Sequence, residues 1–154
     1  MKKFYIITNK AKDADYSFTK EIERYLQKNG AVCLSSNQEQ TGGDTDYRYT
    51  DARQIPTDTE CIITLGGDGT LIQASRDLIS LELPMMGINM GHLGYLTQVS
   101  GEESMDPVLD ALLNDSFTLE KRMMLEGSVV GAQKTVKGIA LNEIVLTRQD
   151  VLQM

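Results

Sequence analysis

Short apolar runs alternate with amphipathic segments over the first 117 residues of the chain. The apolar runs predict four strands, and segments whose apolar residues recur every three or four positions predict three helices. The predicted strands cover residues 3–8, 31–34, 61–65 and 84–88, and the predicted helices lie near residues 18–29, 71–79 and 107–113. Strands that alternate with helices are typical of an α/β fold, here an open, mostly parallel sheet with helices on both faces.

The pattern changes near Phe117, after which the apolar and polar positions indicate strands only. Three glycines mark the expected turns of this segment, Gly127, Gly131 and Gly138. We therefore expect an α/β domain over residues 1–117 and the beginning of a β-rich second domain over residues 118–154. So few strands cannot bury a hydrophobic face, and the second domain is expected to be truncated.

Composition narrows the classes of partner. The formal net charge is −7, and an acidic surface repels a phosphate backbone, so a nucleic-acid partner is not expected. No run approaches the roughly 18 apolar residues of a membrane span, which argues against a membrane protein. Cys33 and Cys61 each lie in an apolar, strand-like run, so both are expected to be reduced core residues of a cytoplasmic protein.

A long polar segment separates the second and third predicted strands. Residues 35–58 show no apolar period, which predicts a loop that is functional or mobile. Within it, Gly42-Gly43-Asp44-Thr45 has no strand before it and no apolar helix after it, so this tetrapeptide is interpreted as loop alone.

The segment Gly66-Gly67-Asp68-Gly69-Thr70 carries the clearest chemical signal. It lies between a predicted buried strand and a helix, where ligands of open α/β sheets bind. Glycines let main-chain amides approach a phosphate and adopt positive φ, and the following helix offers unpaired N–H groups to an anion. A carboxylate at Asp68 suits a metal ion or the acceptance of a proton, both of which phosphoryl transfer uses. The alternative is a structural turn in which Asp68 or Thr70 caps the helix.

Two further groups of residues are candidates for binding a ligand. Asn89 and Gly91 follow the fourth predicted strand, and the ring of Tyr95 offers a surface on which an adenine can stack; the alternative is a glycine-rich turn with Tyr95 in the core. Asn142 and Glu143 form a polar pair inside an otherwise apolar predicted strand. Their hydrogen-bonding groups need partners, which are either a ligand or metal ion or, if the strand lies at a sheet edge, water.

These motifs, and their order along the chain, resemble those of NAD kinases. Gly66-Gly67-Asp68-Gly69-Thr70 resembles a turn that NAD kinases share with diacylglycerol-type lipid kinases, and phosphofructokinases carry a close variant. Residues 87–96 resemble the NAD kinase pattern Gly-Ile-Asn-x-Gly-x-Leu-Gly-Phe-Leu, with Tyr95 in place of Phe, and Leu141-Asn142-Glu143 is similar to that family's Asn-Glu motif. The resemblance covers essentially the whole chain, although nothing after Arg148 matches the family's second dinucleotide-binding motif.

The resemblance implies an enzyme that phosphorylates the 2′-hydroxyl of the adenosine ribose of NAD to make NADP, with ATP or polyphosphate as donor. It implies that Asp68 is the catalytic base and that a divalent metal ion, Mg²⁺ by preference, is the cofactor. The remaining implied site residues shape the phosphate site or bind the dinucleotide: Gly66, Gly67, Gly69 and Thr70 for the former, and Asn89, Gly91, Tyr95, Asn142 and Glu143 for the latter. The full-length protein is expected to be a homo-oligomer, and this chain alone is expected to be inactive.

Two alternatives stay open on the sequence alone. A lipid or sphingoid kinase shares the glycine–aspartate turn, but it would present an apolar substrate groove and leave Asn142 and Glu143 without a role. A non-catalytic dinucleotide-binding module would bind NAD and form no NADP.

Overall fold

The computed structural model describes residues 1–35, 50–92, 94–101, 103–131 and 134–145. The chain divides into two compact units, Met1–Glu120 and Lys121–Met154. The boundary between the units falls close to the change in hydrophobic pattern near Phe117.

The first unit is built around a five-stranded parallel sheet. Its strands are β1 (Lys3–Thr8), β2 (Val32–Ser35), β3 (Cys61–Gly66), β4 (Met85–Asn89) and β5 (Val99–Ser100). The strand order is β2-β1-β3-β4-β5, and every pairing is parallel. β1 and β3 lie inside the sheet with both faces covered, which accounts for their nearly continuous apolar sequences.

Three helices cover the two faces of the sheet. They are α1 (Ser17–Lys28), α2 (Asp68–Asp77) and α3 (Asp106–Leu113). Alternate residues of β1 enter different cores: Phe4 and Ile6 pack with α1 and α3, whereas Tyr5 and Ile7 pack on the face that α2 covers. The predicted α/β class, with helices on both faces of a parallel sheet, is confirmed.

The elements differ from expectation at three places. β5 was not predicted, because a strand of two residues is too short to show a hydrophobic period. α2 begins at Asp68, inside the glycine turn and three residues before the first apolar position of the predicted helix, Leu71. Ile79, which was expected to continue that helix, lies instead in a 3₁₀ turn over Ile79–Leu81.

The end of the long polar segment packs into the first unit. Ala52–Gln54 form a 3₁₀ turn, and Ile55 is buried in the core on the α2 face of the sheet. The main-chain amide of the buried Thr50 donates to the Asp77 carboxylate at 3.0 Å. Residues 50–58 are therefore a loop, as predicted, but one that packs on the core through Ile55, while residues 36–49, which include Gly42-Gly43-Asp44-Thr45, lie outside the described residues.

The second unit contains a β-hairpin of β6 (Leu125–Val130) and β7 (Thr135–Ala140), paired antiparallel. Gly127 and Gly138, which were expected to mark turns, lie opposite each other inside the two strands. Gly131 follows β6 at the start of the connection, as a turn residue does. Most residues of the hairpin are exposed.

The structure bears on two expectations from the composition, one about membrane spans and one about the two cysteines. Over the part of the chain that the structure describes, no helix has both the length and the apolar character that crossing a membrane requires. Cys33 and Cys61 are buried and free, and burial raises the pKa of both thiols to about 12, so neither is an appreciable thiolate at neutral pH.

Candidate functional site

The candidate site lies at the carboxyl edge of the parallel sheet. β3 ends at Gly66 and β4 ends at Asn89, and these residues are register partners in adjacent strands. The Met90 amide donates to the Gly66 oxygen at 2.6 Å, which ties the two glycine-rich segments together. Asn9, just after β1, donates its main-chain N–H to the Leu65 oxygen at 2.8 Å, so a third loop meets the same edge.

The glycine–aspartate turn runs directly into α2. The N-cap residue is Gly67 and no side chain caps the helix, so the alternative in which Asp68 or Thr70 serves as the cap is wrong. Among the glycines that the structure describes, Gly30 alone has a positive φ, so this turn does not use the left-handed backbone that was expected. Gly66 provides space instead, because a Cβ there would overlap the Thr70 side chain. The Thr70 amide donates to the Gly67 oxygen at 3.0 Å, so the N–H groups that helix geometry leaves to an external acceptor are those of Asp68 and Gly69.

The carboxylate of Asp68 is held by residues 95–97. Its Oδ2 accepts from the Tyr95 amide at 2.8 Å, and its Oδ1 accepts from the Thr97 amide at 2.9 Å. The Leu96 amide lies 3.2 Å from each oxygen, and the Thr97 hydroxyl donates to Oδ1 at 2.7 Å. A carboxylate offers about four acceptor positions, and these donors use most of them.

Gly94 makes room for this arrangement. A Cβ at Gly94 would overlap the carboxylate of Asp68, so the close approach of the two segments requires a glycine at this position. A Cβ at Gly91 would lie 3.3 Å from the Nζ of Lys12, the end of a flexible side chain. The spatial requirement is therefore strict at Gly94 and weak at Gly91.

Hydrogen bonding keeps Asp68 ionised. Partial burial raises the pKa of its carboxyl, but the hydrogen bonds from the Thr97 side chain and from the amides of residues 95–97 favour the charged form and outweigh burial. Together they lower the pKa of Asp68 from its ordinary 3.8 to about 2. At neutral pH this residue is a carboxylate and a weak base.

Asn89 and Thr97 extend the network behind Asp68. Both are buried, and the Asn89 Nδ2 donates to the Thr97 Oγ1 at 2.8 Å. The Thr97 methyl packs on β4, where a Cβ at Gly87 would lie 2.5 Å from Thr97 Cγ2. Thr97 was missed by the sequence analysis. The only signal was a polar residue directly after the motif of residues 87–96.

Tyr95 lies on the outside of the same turn. Its side chain is 79% exposed, so the alternative in which it packs in the core is wrong. The main chain of Tyr95 binds Asp68 while its ring stays open to solvent. An exposed aromatic ring beside the site provides a surface on which a base can stack.

A cleft of about 420 Å³ opens beside the start of α2. Six of the residues that line it come from the loop after β1 and from the first turn of the helix, namely Asn9, Lys10, Lys12, Gly67, Gly69 and Thr70. The Asn9 side-chain amide donates to the Thr70 hydroxyl at 3.4 Å and joins the two walls. The lysines add positive charge where the helix dipole already favours an anion. They were not predicted, because isolated lysines in a loop form no motif.

Asn142 and Glu143 belong to the second unit, where both are exposed. They follow β7 and do not lie inside a strand, because the pairing with β6 ends at Ala140, opposite Leu125. The prediction of a polar pair within a strand is therefore wrong. In the described ranges of either unit, no group of three or more His, Cys, Asp or Glu side chains is placed to hold a metal ion.

The sheet, its two joined glycine-rich segments and the start of α2, which no side chain caps, define an open parallel α/β unit with a candidate ligand site at its strand ends. Residues 4–117 match the family described as the ATP-NAD kinase N-terminal domain. The chain belongs to the NAD kinase family.

Individual relatives agree with this assignment. An NAD kinase from Lachnospira eligens is 41% identical over 155 residues, which cover 100% of this chain and 53% of that protein. An NAD kinase from Agathobacter rectalis is 40% identical over 156 residues, with the same coverage of 100% and 53%. The chain thus spans about half the length of the curated relatives it matches. The crystal structure of yeast NADH kinase complexed with NADH has a similar fold, with a TM-score of 0.59 at 15% identity over 92% of this chain and 47% of that one.

Proposed function

We propose that this chain forms part of an enzyme that phosphorylates the 2′-hydroxyl of the adenosine ribose of NAD, with ATP or polyphosphate as donor, to make NADP. The observation that carries the proposal is a buttressed carboxylate, Asp68, at the first turn of an uncapped helix beside a lysine-lined cleft, in a chain of the NAD kinase family. A dinucleotide substrate is supported by the yeast neighbour, which was crystallised with NADH.

The donor phosphates bind at the cleft in this proposal. The amides of Gly67 and Gly69 form the anion-binding end of α2, Thr70 lines the cleft beside them, and Lys10 and Lys12 supply positive charge from the facing loop. Gly66 shapes this turn by leaving room for the Thr70 side chain. Phosphoryl transfer depends mainly on positioning and charge neutralisation, and these residues provide both.

Asp68 accepts the proton of the attacking 2′-hydroxyl. A pKa of about 2 makes it a weak base, but it is always ionised at neutral pH. In a loose transition state the hydroxyl becomes strongly acidic only once its oxygen bonds to phosphorus, so a weak and permanently charged acceptor is sufficient.

The dinucleotide is bound by the remaining site residues. The exposed ring of Tyr95 stacks on the adenine, Gly91 leaves space beside the turn, and Asn89 acts from the buried side through its hydrogen bond to Thr97. Asn142 and Glu143 are the proposed dinucleotide ligands of the second unit.

A divalent metal ion, Mg²⁺ by preference, would neutralise the charge of the donor phosphates when bound. Protein donors use most of the acceptor positions of Asp68, and the described residues form no metal cage. They fit a metal ion that is held mainly by phosphate and water oxygens, as Mg²⁺ often is. We place the enzyme in the cytoplasm, as a homo-oligomer that acts on nucleotides without a nucleic-acid or membrane partner.

The test is NADP formation by the full-length gene product, with ATP and Mg²⁺ or with polyphosphate. Asp68→Asn is expected to lower turnover by about 10²–10⁴-fold while NAD still binds, because proton acceptance contributes on that order. Asp110→Asn, the same change at a carboxylate on α3 that binds Tyr25, serves as control and is expected to retain activity.

Three results would contradict the proposal. They are NAD binding without NADP formation, phosphorylation of a diacylglycerol or sphingoid base in place of NAD, and unchanged turnover in Asp68→Asn. The 154-residue chain, assayed in parallel, is expected to form little NADP, because incomplete substrate positioning alone can remove about 7–11 kcal/mol of rate enhancement.

A further inference from the structure

One hydroxyl group connects the two glycine-rich segments of the site. Thr97 is 1% exposed, and its Oγ1 lies 2.8 Å from the Asn89 Nδ2 and 2.7 Å from the Asp68 Oδ1. Asn89 ends β4 and Asp68 begins α2, so the Thr97 side chain joins a strand end to a helix start.

The direction of these hydrogen bonds is determined by charge. An ionised carboxylate can only accept, so the Thr97 hydroxyl must donate its single hydrogen to Asp68. The Thr97 oxygen is then left to accept from the Asn89 amide. Each of the three groups therefore fixes the orientation of the next.

The four donors to Asp68 are not equivalent. The Leu96 amide is shared between both carboxylate oxygens at 3.2 Å, the longest of these contacts, so it is the weakest donor of the four. The Thr97 hydroxyl makes the shortest contact and is the only one of the four donors that belongs to a side chain. It is therefore the donor whose removal alters the carboxylate without altering the main chain.

We propose that Thr97 is a positioning residue for phosphoryl transfer, because its hydroxyl couples Asn89 to Asp68 and holds the carboxylate in the orientation from which it meets the ribose hydroxyl. The proton passes from the ribose oxygen to Asp68, and the hydroxyl hydrogen of Thr97 stays on Thr97. This inference rests on the proposed function for its catalytic part, whereas its hydrogen-bonding part is measurable without substrate.

The experiment compares Thr97→Val, which keeps the shape and removes the hydroxyl, with Thr97→Ser, which keeps the hydroxyl and removes the methyl packed near Gly87. The matched control is Thr64→Val, because Thr64 is equally buried in β3 but its hydroxyl reaches only the Met86 oxygen, at 3.5 Å. Turnover and KM for NAD are measured in the full-length gene product. The titration of Asp68 is followed by carbon-13 carboxyl NMR in the 154-residue chain.

For Thr97→Val we expect kcat to fall about 10- to 100-fold with KM for NAD changed less than about threefold, because orientation and not substrate affinity is lost. The titration midpoint of Asp68 is expected to rise by about one pH unit. Thr97→Ser is expected to recover most of both properties, and Thr64→Val is expected to match the wild type.

The inference would be overturned if Thr97→Val kept wild-type turnover or left the titration of Asp68 unchanged. It would also be overturned if Thr97→Ser were as impaired as Thr97→Val. A wild-type protein that forms no NADP would instead overturn the proposed function, and the Asp68 titration would still decide whether Thr97 acts on the carboxylate. If Thr97→Val does not fold, hydrogen exchange of the Thr97 hydroxyl, measured by NMR in the wild-type chain, tests the coupling instead. A Thr97 hydroxyl hydrogen protected from exchange, and lost in Asp68→Asn, supports the coupling, and an unprotected one contradicts it.

Discussion

At the scale of single residues, Asp68 links its own segment to a turn 27 positions later in the chain. A carboxylate that accepts from three successive amides stabilises the turn that carries them, whatever it does for a reaction. Asp68 therefore has a structural role and a proposed catalytic role, and both depend on its being ionised.

The structural role predicts a pH dependence. Because the folded-state pKa of Asp68, about 2, lies below its ordinary 3.8, its contribution to stability is present above pH 3.8 and is lost as the pH falls through 2. Asp68→Asn is expected to lower the free energy of unfolding at pH 7 by about 1–3 kcal/mol, since it leaves partly buried donors without a charged acceptor. Urea denaturation of both chains between pH 7 and pH 2 should show this difference narrowing below pH 4. A difference that stays constant down to pH 2 would exclude Asp68 as its source.

The motifs predicted residues at the centre of the candidate site but not the hydrogen bonds that join them. Asp68, Asn89 and Tyr95 were predicted from their glycine-rich context, and the structure brings all three to one sheet edge. Thr97 was missed because its role comes from a fold that places it between two segments. Lys10 and Lys12 were missed because a cleft, and not a motif, gives them significance.

At the scale of secondary structure, α1 begins without a cap at the usual position. Its N-cap residue is Tyr16, in the left-handed region with φ of 57°, and it makes no side-chain cap. The buried carboxylate of Asp13 replaces the cap: it accepts from the Thr19 amide at 2.9 Å, the Thr19 hydroxyl at 2.6 Å and the Phe18 amide at 3.3 Å. The Asp13 carboxylate thus satisfies free first-turn amides, and its negative charge is also stabilised by the helix dipole.

Removal of this carboxylate is expected to destabilise the first unit. Asp13→Ala should lower the free energy of unfolding by about 1–3 kcal/mol, because buried helix N–H groups lose their acceptor. Asp15→Ala is the matched control, since the exposed Asp15 carboxylate is bonded by Ser17, through its amide at 3.2 Å and its side chain, and its removal should change stability far less. Urea denaturation of the three chains measures both values. If the two substitutions had equal effects, Asp13 would have no special role in stabilising the start of α1.

The strands and helices that could be predicted are those with a long hydrophobic pattern. β1, β3 and β4 were predicted because buried parallel strands are apolar along their whole length. The start of α2 was misplaced because its first residues are glycine and aspartate, which carry little helical signal. Packing of Ile55 was missed because one apolar residue in a polar segment has no period.

At the scale of the whole molecule, the two units differ in how they bury apolar side chains. The first unit has two cores, one on each face of its sheet. The hairpin of β6 and β7 instead exposes valines on paired positions: Val129 is 60% exposed and its register partner Val136 is 53% exposed. A two-stranded hairpin with exposed apolar side chains is marginally stable by itself and offers its strand edges to other chains.

Self-association through this hairpin is the expected behaviour of the 154-residue chain. Sedimentation velocity should show a mass that rises above that of a monomer with increasing concentration, because pairing of exposed edges buries apolar surface. The double variant Val129→Thr and Val136→Thr keeps β-branched residues while removing apolar area, and it should weaken association at least about tenfold, a change of roughly 1.4 kcal/mol. Val32→Thr is the matched control, because Val32 is 54% exposed on the edge strand β2 of the first unit. The hairpin would not drive assembly if the chain stayed monomeric at every concentration. The same conclusion would follow if the control weakened association as much as the double variant does.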